Sequence, residues 1–206
     1  YACYRTVEES IASAQQLVAQ HPDIAQLVDI GDSWKKAQNP ALGHDLWVLR
    51  LTNRSIGGVK PVHYLQGALH AREYVTAETV LRYGEWLAGQ YGSNPDVTWV
   101  LDHQEVHILL QANPDGRKVA EISTTRMQRK NRDENFCPTG GTSLGVDLNR
   151  NFPFDWAGPG SSGSDCSDIY RGPSPSSEAE SQSIIAYLRS TLGLDGRSRP
   201  RCVSER

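Results

Sequence analysis

A histidine and a glutamate three residues apart stand out as possible metal ligands. His70 and Glu73 follow an apolar run, Val62 to Leu69, which predicts a β-strand. An imidazole nitrogen and a carboxylate oxygen are both ligands that zinc accepts in proteins. In α/β folds, ligands bind beyond the carboxyl ends of the strands, and His70 comes directly after this predicted end. The pair therefore predicts half of a zinc site.

A second segment places an amide beside a guanidinium. Asn149 and Arg150 lie within a stretch that runs from Gly145 to Phe152. A guanidinium binds a carboxylate through two parallel hydrogen bonds, which fixes both position and orientation. Together with the histidine and glutamate, this pair indicates a hydrolase that recognises a free carboxyl end.

The composition is typical of a globular enzyme domain. The chain has 206 residues, of which 38% are hydrophobic and 22% are charged, and this fits one domain. The net charge of -3 gives no electrostatic attraction to nucleic acid or to an anionic membrane. No run approaches the roughly 18 apolar residues that span a bilayer. We expect a monomer with neither partner, and a start at Tyr1 without methionine indicates a processed or trimmed chain.

The four cysteines suggest disulfide chemistry rather than a metal site. They form no close Cys-x-x-Cys pair and lie at Cys3, Cys137, Cys166 and Cys202. Of the three possible pairings we favour Cys137 with Cys166, because both lie in the Gly/Ser/Pro-rich region around Asn149 and Arg150. Buried, unpaired thiols are the alternative. A disulfide would place the protein outside the cytosol, in a secreted or periplasmic compartment.

Helices are predicted where apolar residues recur at intervals of three and four. The first helix carries Val7, Ile11, Ala14 and Val18 and ends at His21 and Pro22. The second runs along Ala77 to Tyr91, with Thr76 as a cap and Gly92 as a stop. The last begins near Ser176 and Ser177, places Glu178 and Glu180 in its first turn, and continues to Leu192.

Strands are predicted between these helices. The candidates are Ala25 to Ile30, Leu46 to Leu51, Val62 to Leu69 and Glu105 to Gln111. Asn113 to Gly116 reads as a turn, and a short helix is expected between it and Arg132. Pro138 to Pro175 is a long loop, and loops of this length in compact domains are usually functional. Strands that alternate with helices predict an α/β layer fold.

The motifs occur in the order of a known family. From about Tyr1 to Leu192 the sequence resembles the zinc metallocarboxypeptidases of the carboxypeptidase A type. The blocks that carry the resemblance are Asp23–Gly31, Gly67–Glu73, Asn113–Gly116, Arg129–Arg132, Gly145–Phe152 and Tyr170–Pro173. The Gly/Ser-rich loop and Asp147–Asn151 look more like bacterial secreted, carboxypeptidase T-like members. The resemblance implies an α/β fold with a mixed parallel and antiparallel sheet flanked by helices.

The resemblance also implies a role for each motif. His70 and Glu73 match two of three protein ligands to one zinc ion. Arg72 matches a residue that lines the substrate cleft, and Arg129 matches the catalytic cation that polarises the scissile carbonyl and stabilises its oxyanion. Asn149 and Arg150 match the pair that binds the substrate's terminal carboxylate. The implied activity is hydrolysis of the last peptide bond of a peptide or protein with a free C-terminus.

The resemblance ends before the family's third zinc ligand, a histidine that follows the last predicted helix. Residues 1–192 match the N-terminal two-thirds of a catalytic domain, and residues 193–206 form an Arg-rich tail that resembles no strand and lacks histidine. We therefore expect a C-terminally truncated fold with an incomplete zinc site. The loss of one ligand weakens zinc affinity by ~100-fold, so the isolated chain is expected to show little peptidase activity.

Two other functions fit the same residues. The first is a non-catalytic module that still binds peptide carboxyl termini through Arg129, Asn149 and Arg150. The second is a zinc amidohydrolase that acts on acylated amino acids or cell-wall peptides, since related folds support deacylation. Binding that survives a chelator but not C-terminal amidation would indicate the first, and hydrolysis without a free substrate carboxylate would indicate the second.

Overall fold

Helix α1 (Val7–Gln20) begins the ordered architecture of the computed structural model, which describes residues 3–193. A capping box fixes its start: the Thr6 side chain accepts from the amide of Glu9, and the Glu9 carboxylate accepts from the amide of Thr6. The helix ends before His21, as predicted. The Arg-rich tail expected at 193–206 and Cys202 lie outside the described residues, apart from Gly193.

Four strands form one mixed sheet. They are β1 (Ala25–Asp32), β2 (Asp45–Leu51), β3 (Val62–Gln66) and β4 (Glu105–Leu109). Their order in the sheet is β1-β2-β4-β3; β2 is antiparallel to β1 and β4, whereas β3 is parallel to β4. The predicted α/β fold with a mixed sheet is confirmed.

Helices cover both faces of this sheet. The others are α2 (Trp34–Gln38), α3 (Tyr74–Gln90), α4 (Pro95–His103), α5 (Pro114–Ala120) and α6 (Ala179–Leu192). Helices α1, α3 and α4 share the larger hydrophobic core with one face of β2 and β4, and α6 packs on the opposite face through Ile184. This arrangement gives three layers, so the central strands β2 and β4 are largely buried. No helix within residues 3–193 is long and apolar enough to cross a membrane.

Several element boundaries differ from the predictions. Strand β3 ends at Gln66 rather than Leu69, because the chain turns at Ala68, whose φ is 50°. Helix α3 starts at Tyr74 with Glu73 at its N-cap, so Thr76 is not the cap. Instead the Thr76 hydroxyl donates to the Glu73 carbonyl and accepts from the amide of Ala68, which ties the turn to the helix.

Two helices begin at Asn-Pro pairs. Helix α4 was not predicted, and its Asn94 side chain accepts from two amides of the first turn. The predicted turn at 113–116 is in fact the start of α5, where the Asn113 side chain accepts from the amide of Gly116. In both helices the proline occupies the first helical position, where its missing amide proton is no loss. The short helix expected before Arg132 is therefore α5.

The long loop contains the predicted disulfide. Cys137 and Cys166 are bonded, and within the described residues Cys3 is an exposed free thiol. The loop has only two short 3-10 segments, Gly141–Ser143 and Leu148–Arg150. Closing the 29-residue separation restricts the unfolded chain by about 3–4 kcal/mol in the entropy model. The bridge therefore compensates for the scarcity of regular structure around Asn149 and Arg150.

Close packing at Gly67 positions the segment that carries His70. A Cβ atom added to Gly67 would lie 2.7 Å from the Cα atom of Ala77, so the end of β3 touches the backbone of α3. We predict that Gly67→Ala lowers the free energy of unfolding by about 1–3 kcal/mol, because backbone must shift to admit the methyl group. Urea denaturation followed by circular dichroism measures this change.

The matched control is Gly89→Ala, in the exposed last turns of the same helix. A Cβ atom there meets nothing within 4 Å. The control is expected to raise stability by about 0.4–1 kcal/mol, because alanine reduces the entropy of the unfolded chain. Equal effects of the two substitutions would contradict the close packing at Gly67.

Candidate active site

The two candidate metal ligands face each other across a tight turn. His70 Nδ1 lies 2.9 Å from Glu73 Oε1, and the amide of Glu73 donates to the His70 carbonyl. His70 is buried and Glu73 is exposed, so the pair opens toward solvent on one side. The turn and the start of α3 hold both side chains on one rigid junction, which is the preorganisation that a metal site requires.

A buried aspartate fixes the orientation of the histidine ring. Asp147 is fully buried, and its Oδ1 lies 3.2 Å from His70 Nε2. A proton on Nε2 that donates to Asp147 leaves the lone pair of Nδ1 on the side of the Glu73 carboxylate, and two such acceptors require a cation or a proton between them. A carboxylate that holds the far side of a metal-binding histidine is the usual outer partner of a zinc ligand. The nitrogen and oxygen donors therefore fit a zinc ion held by His70 and Glu73.

The same aspartate also binds the predicted catalytic cation. Arg129 donates to Asp147 Oδ2 through Nε at 3.2 Å and through Nη2 at 2.9 Å. Burial raises the pKa of Asp147, but the hydrogen bond from His70 and the charge of Arg129 outweigh it and leave that pKa below its ordinary value. The carboxylate is therefore held ionised between two donors.

The predicted carboxylate clamp, Asn149 and Arg150, follows Asp147 closely in the chain. Asp147 Oδ1 accepts from the amide of Asn149 at 3.0 Å, so the aspartate caps the 3-10 segment that contains Asn149 and Arg150. Arg150 donates through Nε to the Gly160 carbonyl and through Nη1 to the Asn149 carbonyl. These two hydrogen bonds set the plane of the Arg150 guanidinium. Asn149 is exposed to solvent.

Backbone contacts bring the separate motifs together. The amide of Ala71 donates to the Arg129 carbonyl at 3.0 Å, which joins the turn of His70 to the segment of Arg129. Arg72 Nη1 donates to the Met127 carbonyl and lies 3.5 Å from Asp168 Oδ2, in the long loop that contains the disulfide. All six predicted site residues thus belong to one continuous group, with Arg72 at its edge.

Asp147 lies in a predicted motif, but its role is not evident from the sequence. The sequence offers one indication: aspartate is a common capping residue, and Asp147 directly precedes the 3-10 segment Leu148–Arg150. Its contact with His70, which is 77 residues earlier in the chain, is visible only in the fold. Within residues 3–193 there is no group of three or more His, Cys, Asp or Glu side chains that could hold a metal ion. Two ligands are therefore what the described residues supply.

Buried carboxylates lie behind the clamp at the start of α6. Glu180 is completely buried, and burial raises its pKa to about 8; burial likewise raises the pKa of Glu178 to about 7. The predicted place in the first turn is confirmed for Glu180, whereas Glu178 is the N-cap residue; both side chains are buried. Asp133 and Asp115 raise these pKa values further by their charge.

The fully buried Asp147 gives a prediction about stability. Asp147→Asn keeps the shape but removes the charge that compensates Arg129, and breaking a buried pair in this way costs about 3–5 kcal/mol. Urea denaturation measures the loss. Asp168→Asn, at the exposed partner of Arg72, is the control and is expected to change stability by less than about 0.5 kcal/mol. A loss for Asp147→Asn as small as the control's would contradict the role of Asp147.

The buried glutamates give a prediction about pH. The pKa values of Glu178 and Glu180 in the folded state, about 7 and about 8, lie above the ordinary glutamate value of 4.5. Between pH 4.5 and these values the folded state therefore binds more protons than the unfolded state. The stability they contribute is complete below about pH 4.5 and is lost as the pH rises through 7 and 8. Denaturation at pH 5, 6.5 and 8 should show this decline, and Glu180→Gln should make it shallower. Identical slopes for both proteins would refute the assignment.

Comparisons with known proteins identify the family of the chain. The family model described as zinc carboxypeptidase matches residues 11–199. Carboxypeptidase A2 of Mus musculus is 36% identical over 190 residues, which cover 92% of this chain and 42% of the relative. Metallocarboxypeptidase A of Trichophyton tonsurans is 34% identical over 200 residues, which cover 95% of this chain and 44% of the relative. The chain thus spans less than half the length of these relatives.

Solved structures give the same result. Thrombin-activatable fibrinolysis inhibitor superposes with a TM-score of 0.80 at 29% identity, over 92% of this chain and 44% of that one. Carboxypeptidase A from Helicoverpa armigera superposes with a TM-score of 0.76 at 31% identity, over 91% of this chain and 43% of that one. The prediction of the family from the sequence motifs is confirmed. The chain belongs to the zinc carboxypeptidase family.

Proposed function

We propose that this chain is part of a zinc-dependent metallocarboxypeptidase that hydrolyses the C-terminal peptide bond of peptides and proteins. The observation that carries the proposal is the contact of Asp147 with His70, Arg129 and the amide of Asn149. One buried carboxylate thereby joins a metal ligand, an oxyanion-stabilising cation and a carboxylate clamp. Separately these groups have many uses, but together they match the needs of carboxypeptidase chemistry.

The residues divide the chemistry among them. His70 and Glu73 would hold one zinc ion, which when bound acidifies a water molecule and polarises the scissile carbonyl. Arg129 stabilises the negative charge that develops on the carbonyl oxygen. Asn149 and Arg150 bind the terminal carboxylate, and Arg72 lines the cleft. Because the clamp lies at a fixed place relative to the other groups, only the last peptide bond is presented for hydrolysis.

The zinc site requires a third protein ligand, which is not among the described residues. With two ligands, this chain is expected to bind zinc weakly and to show little peptidase activity by itself. A module that binds peptide carboxyl termini without hydrolysis is therefore the second candidate. It is favoured by the same observation, since Arg129, Asn149 and Arg150 need no metal to bind a carboxylate.

The location and subtype are also part of the proposal. The disulfide between Cys137 and Cys166 supports an oxidising compartment, so we infer a secreted or periplasmic protein. The Gly/Ser-rich loop and the form of the Asp147–Asn151 motif support a bacterial secreted subtype. We expect a monomer whose substrate is a peptide or protein with a free C-terminal carboxylate, and neither nucleic acid nor membrane as a partner.

Peptide binding tests the proposal directly. An acetylated peptide with a free C-terminal carboxylate should bind at least about tenfold more tightly than its amide, because a charge-assisted hydrogen bond is lost on amidation. Arg150→Gln should remove this preference. Arg189→Gln, at an exposed position near the end of α6, is the matched control and should retain it. Fluorescence anisotropy with labelled peptides measures the dissociation constants.

Two outcomes separate the candidates. Release of C-terminal amino acids that stops on addition of a chelator would support the peptidase. Carboxylate-dependent binding that survives the chelator, with no release even from a protein in which a third zinc ligand is supplied, would support the binding module. Equal affinity of the wild-type chain for the free peptide and its amide would contradict both.

A further inference from the structure

Asn131 occupies a central and fully buried position between the motifs of the site. Its side-chain Nδ2 donates to Glu178 Oε2 at 2.6 Å and to Glu180 Oε2 at 3.2 Å. Its Oδ1 accepts from the amide of Val146 at 2.8 Å and from the amide of Asp133 at 3.3 Å. The amide group thus uses both donor hydrogens and both acceptor positions.

The backbone of Asn131 joins the same two segments. Its amide donates to the Val146 carbonyl at 3.0 Å. Gly145 lies so close that an added Cβ atom would be 2.2 Å from the Asn131 carbonyl oxygen, and its φ is 99°. Arg129 comes two residues before Asn131, and Asp147 comes directly after Val146. The contact therefore sets the separation of the segments that carry Arg129 and Asp147.

The two glutamates extend this connection to the far side of the clamp. Glu178 also accepts from the Ser177 hydroxyl, and its backbone amide donates to Asn151 Oδ1 at 3.2 Å. Glu180 accepts from the amide of Trp34 at 2.8 Å. Asn151 comes directly after Arg150, so the start of α6 anchors the 147–151 segment at one end. Asn131 anchors it at the other end through Val146.

Only an amide of this size meets all of these requirements. An ionised aspartate has no donor for the two glutamates and adds a third carboxylate between them, where Asp133 and Asp115 already contribute negative charge. A serine is too short to reach both carboxylates and the Val146 amide. Buried groups left without partners are unfavourable, so the segments would shift to find others.

We propose that Asn131 is a positioning residue that holds Arg129 in register with the Asn149–Arg150 clamp, so that one peptide end meets both at once. It acts through Val146 and Asp147 on one side and through Glu178 and Asn151 on the other. It does not touch the substrate. This inference rests on the proposed function, because it assigns a geometric role within the site that binds a terminal carboxylate.

The test compares Asn131→Asp with Asn53→Asp. Asn53, in the loop after β2, also donates to a carboxyl group, Asp102 Oδ1 at 2.8 Å, so both substitutions replace a donor amide that faces a carboxyl group. Isothermal titration calorimetry measures binding of N-acetyl-trialanine and of its C-terminal amide, without added metal. The stoichiometry reports the folded fraction, whereas the Kd reports the geometry of the site. If the role of Asn131 is merely structural, the substitution lowers the stoichiometry and leaves the Kd unchanged.

The expected result is a Kd for the free peptide at least about tenfold weaker in Asn131→Asp, since a displaced cation or clamp loses a charge-assisted hydrogen bond to the carboxylate. The preference over the amide should disappear in that variant and remain in Asn53→Asp. An unchanged Kd in Asn131→Asp would overturn the inference. If this variant does not fold, Asn131→Ser, which adds no charge, replaces it and is judged by the same Kd. No preference in the wild-type chain would instead refute the proposed function.

Discussion

The buried carboxylate of Asp147 is the constraint on which the site depends. It accepts hydrogen bonds from His70, Arg129 and the amide of Asn149, and these three groups come from separate parts of the chain. A buried charge of this kind is stable only when several donors compensate it. The requirement to satisfy Asp147 therefore brings His70, Arg129 and the segment of Asn149 into one place.

The rest of the fold supplies rigid supports for these donors. Packing of Gly67 against α3 fixes the turn that carries His70. The segment of Arg129 is joined to that turn by the Ala71 amide and to the long loop by Lys130, whose Nζ donates to the Asp165 and Ser167 carbonyls on either side of the disulfide. Burial lowers the pKa of Lys130 to about 8. Preorganisation thus comes from loops held by buried polar contacts as much as from helices and strands.

The geometry of the site depends on buried polar groups whose contribution to stability changes with pH. Asn131, Glu178 and Glu180 form a network beneath the clamp, in which the glutamates retain protons near neutral pH. An apolar core would be more tolerant of pH, but it has no directional contacts with which to align two loop segments. Networks of this kind are costly unless every member has a partner, and Asn131 meets that condition through both of its side-chain atoms.

Much of the fold, and the choice of candidate site residues, could be made from the sequence. Regular apolar spacing predicted α1, α3 and the strands, and local motifs singled out His70, Glu73, Asn149 and Arg150 as candidates for the site. The role of Asp147 and the burial of Glu178 and Glu180 were not predictable, because they depend on contacts between residues far apart in the chain. Helix α4 was not predicted, and the turn predicted at 113–116 is the start of α5, because Asn-Pro pairs mark turns and helix starts alike.

A crystal of this chain soaked in zinc would test the central claim most directly. We predict an anomalous peak that contacts both His70 Nδ1 and Glu73, while His70 Nε2 and Arg129 keep their contacts with Asp147. Such a map would show that one buried carboxylate holds the metal ligand and the cation at the same time. A zinc ion bound elsewhere, or a His70 ring turned so that Nε2 faces the metal, would contradict the account.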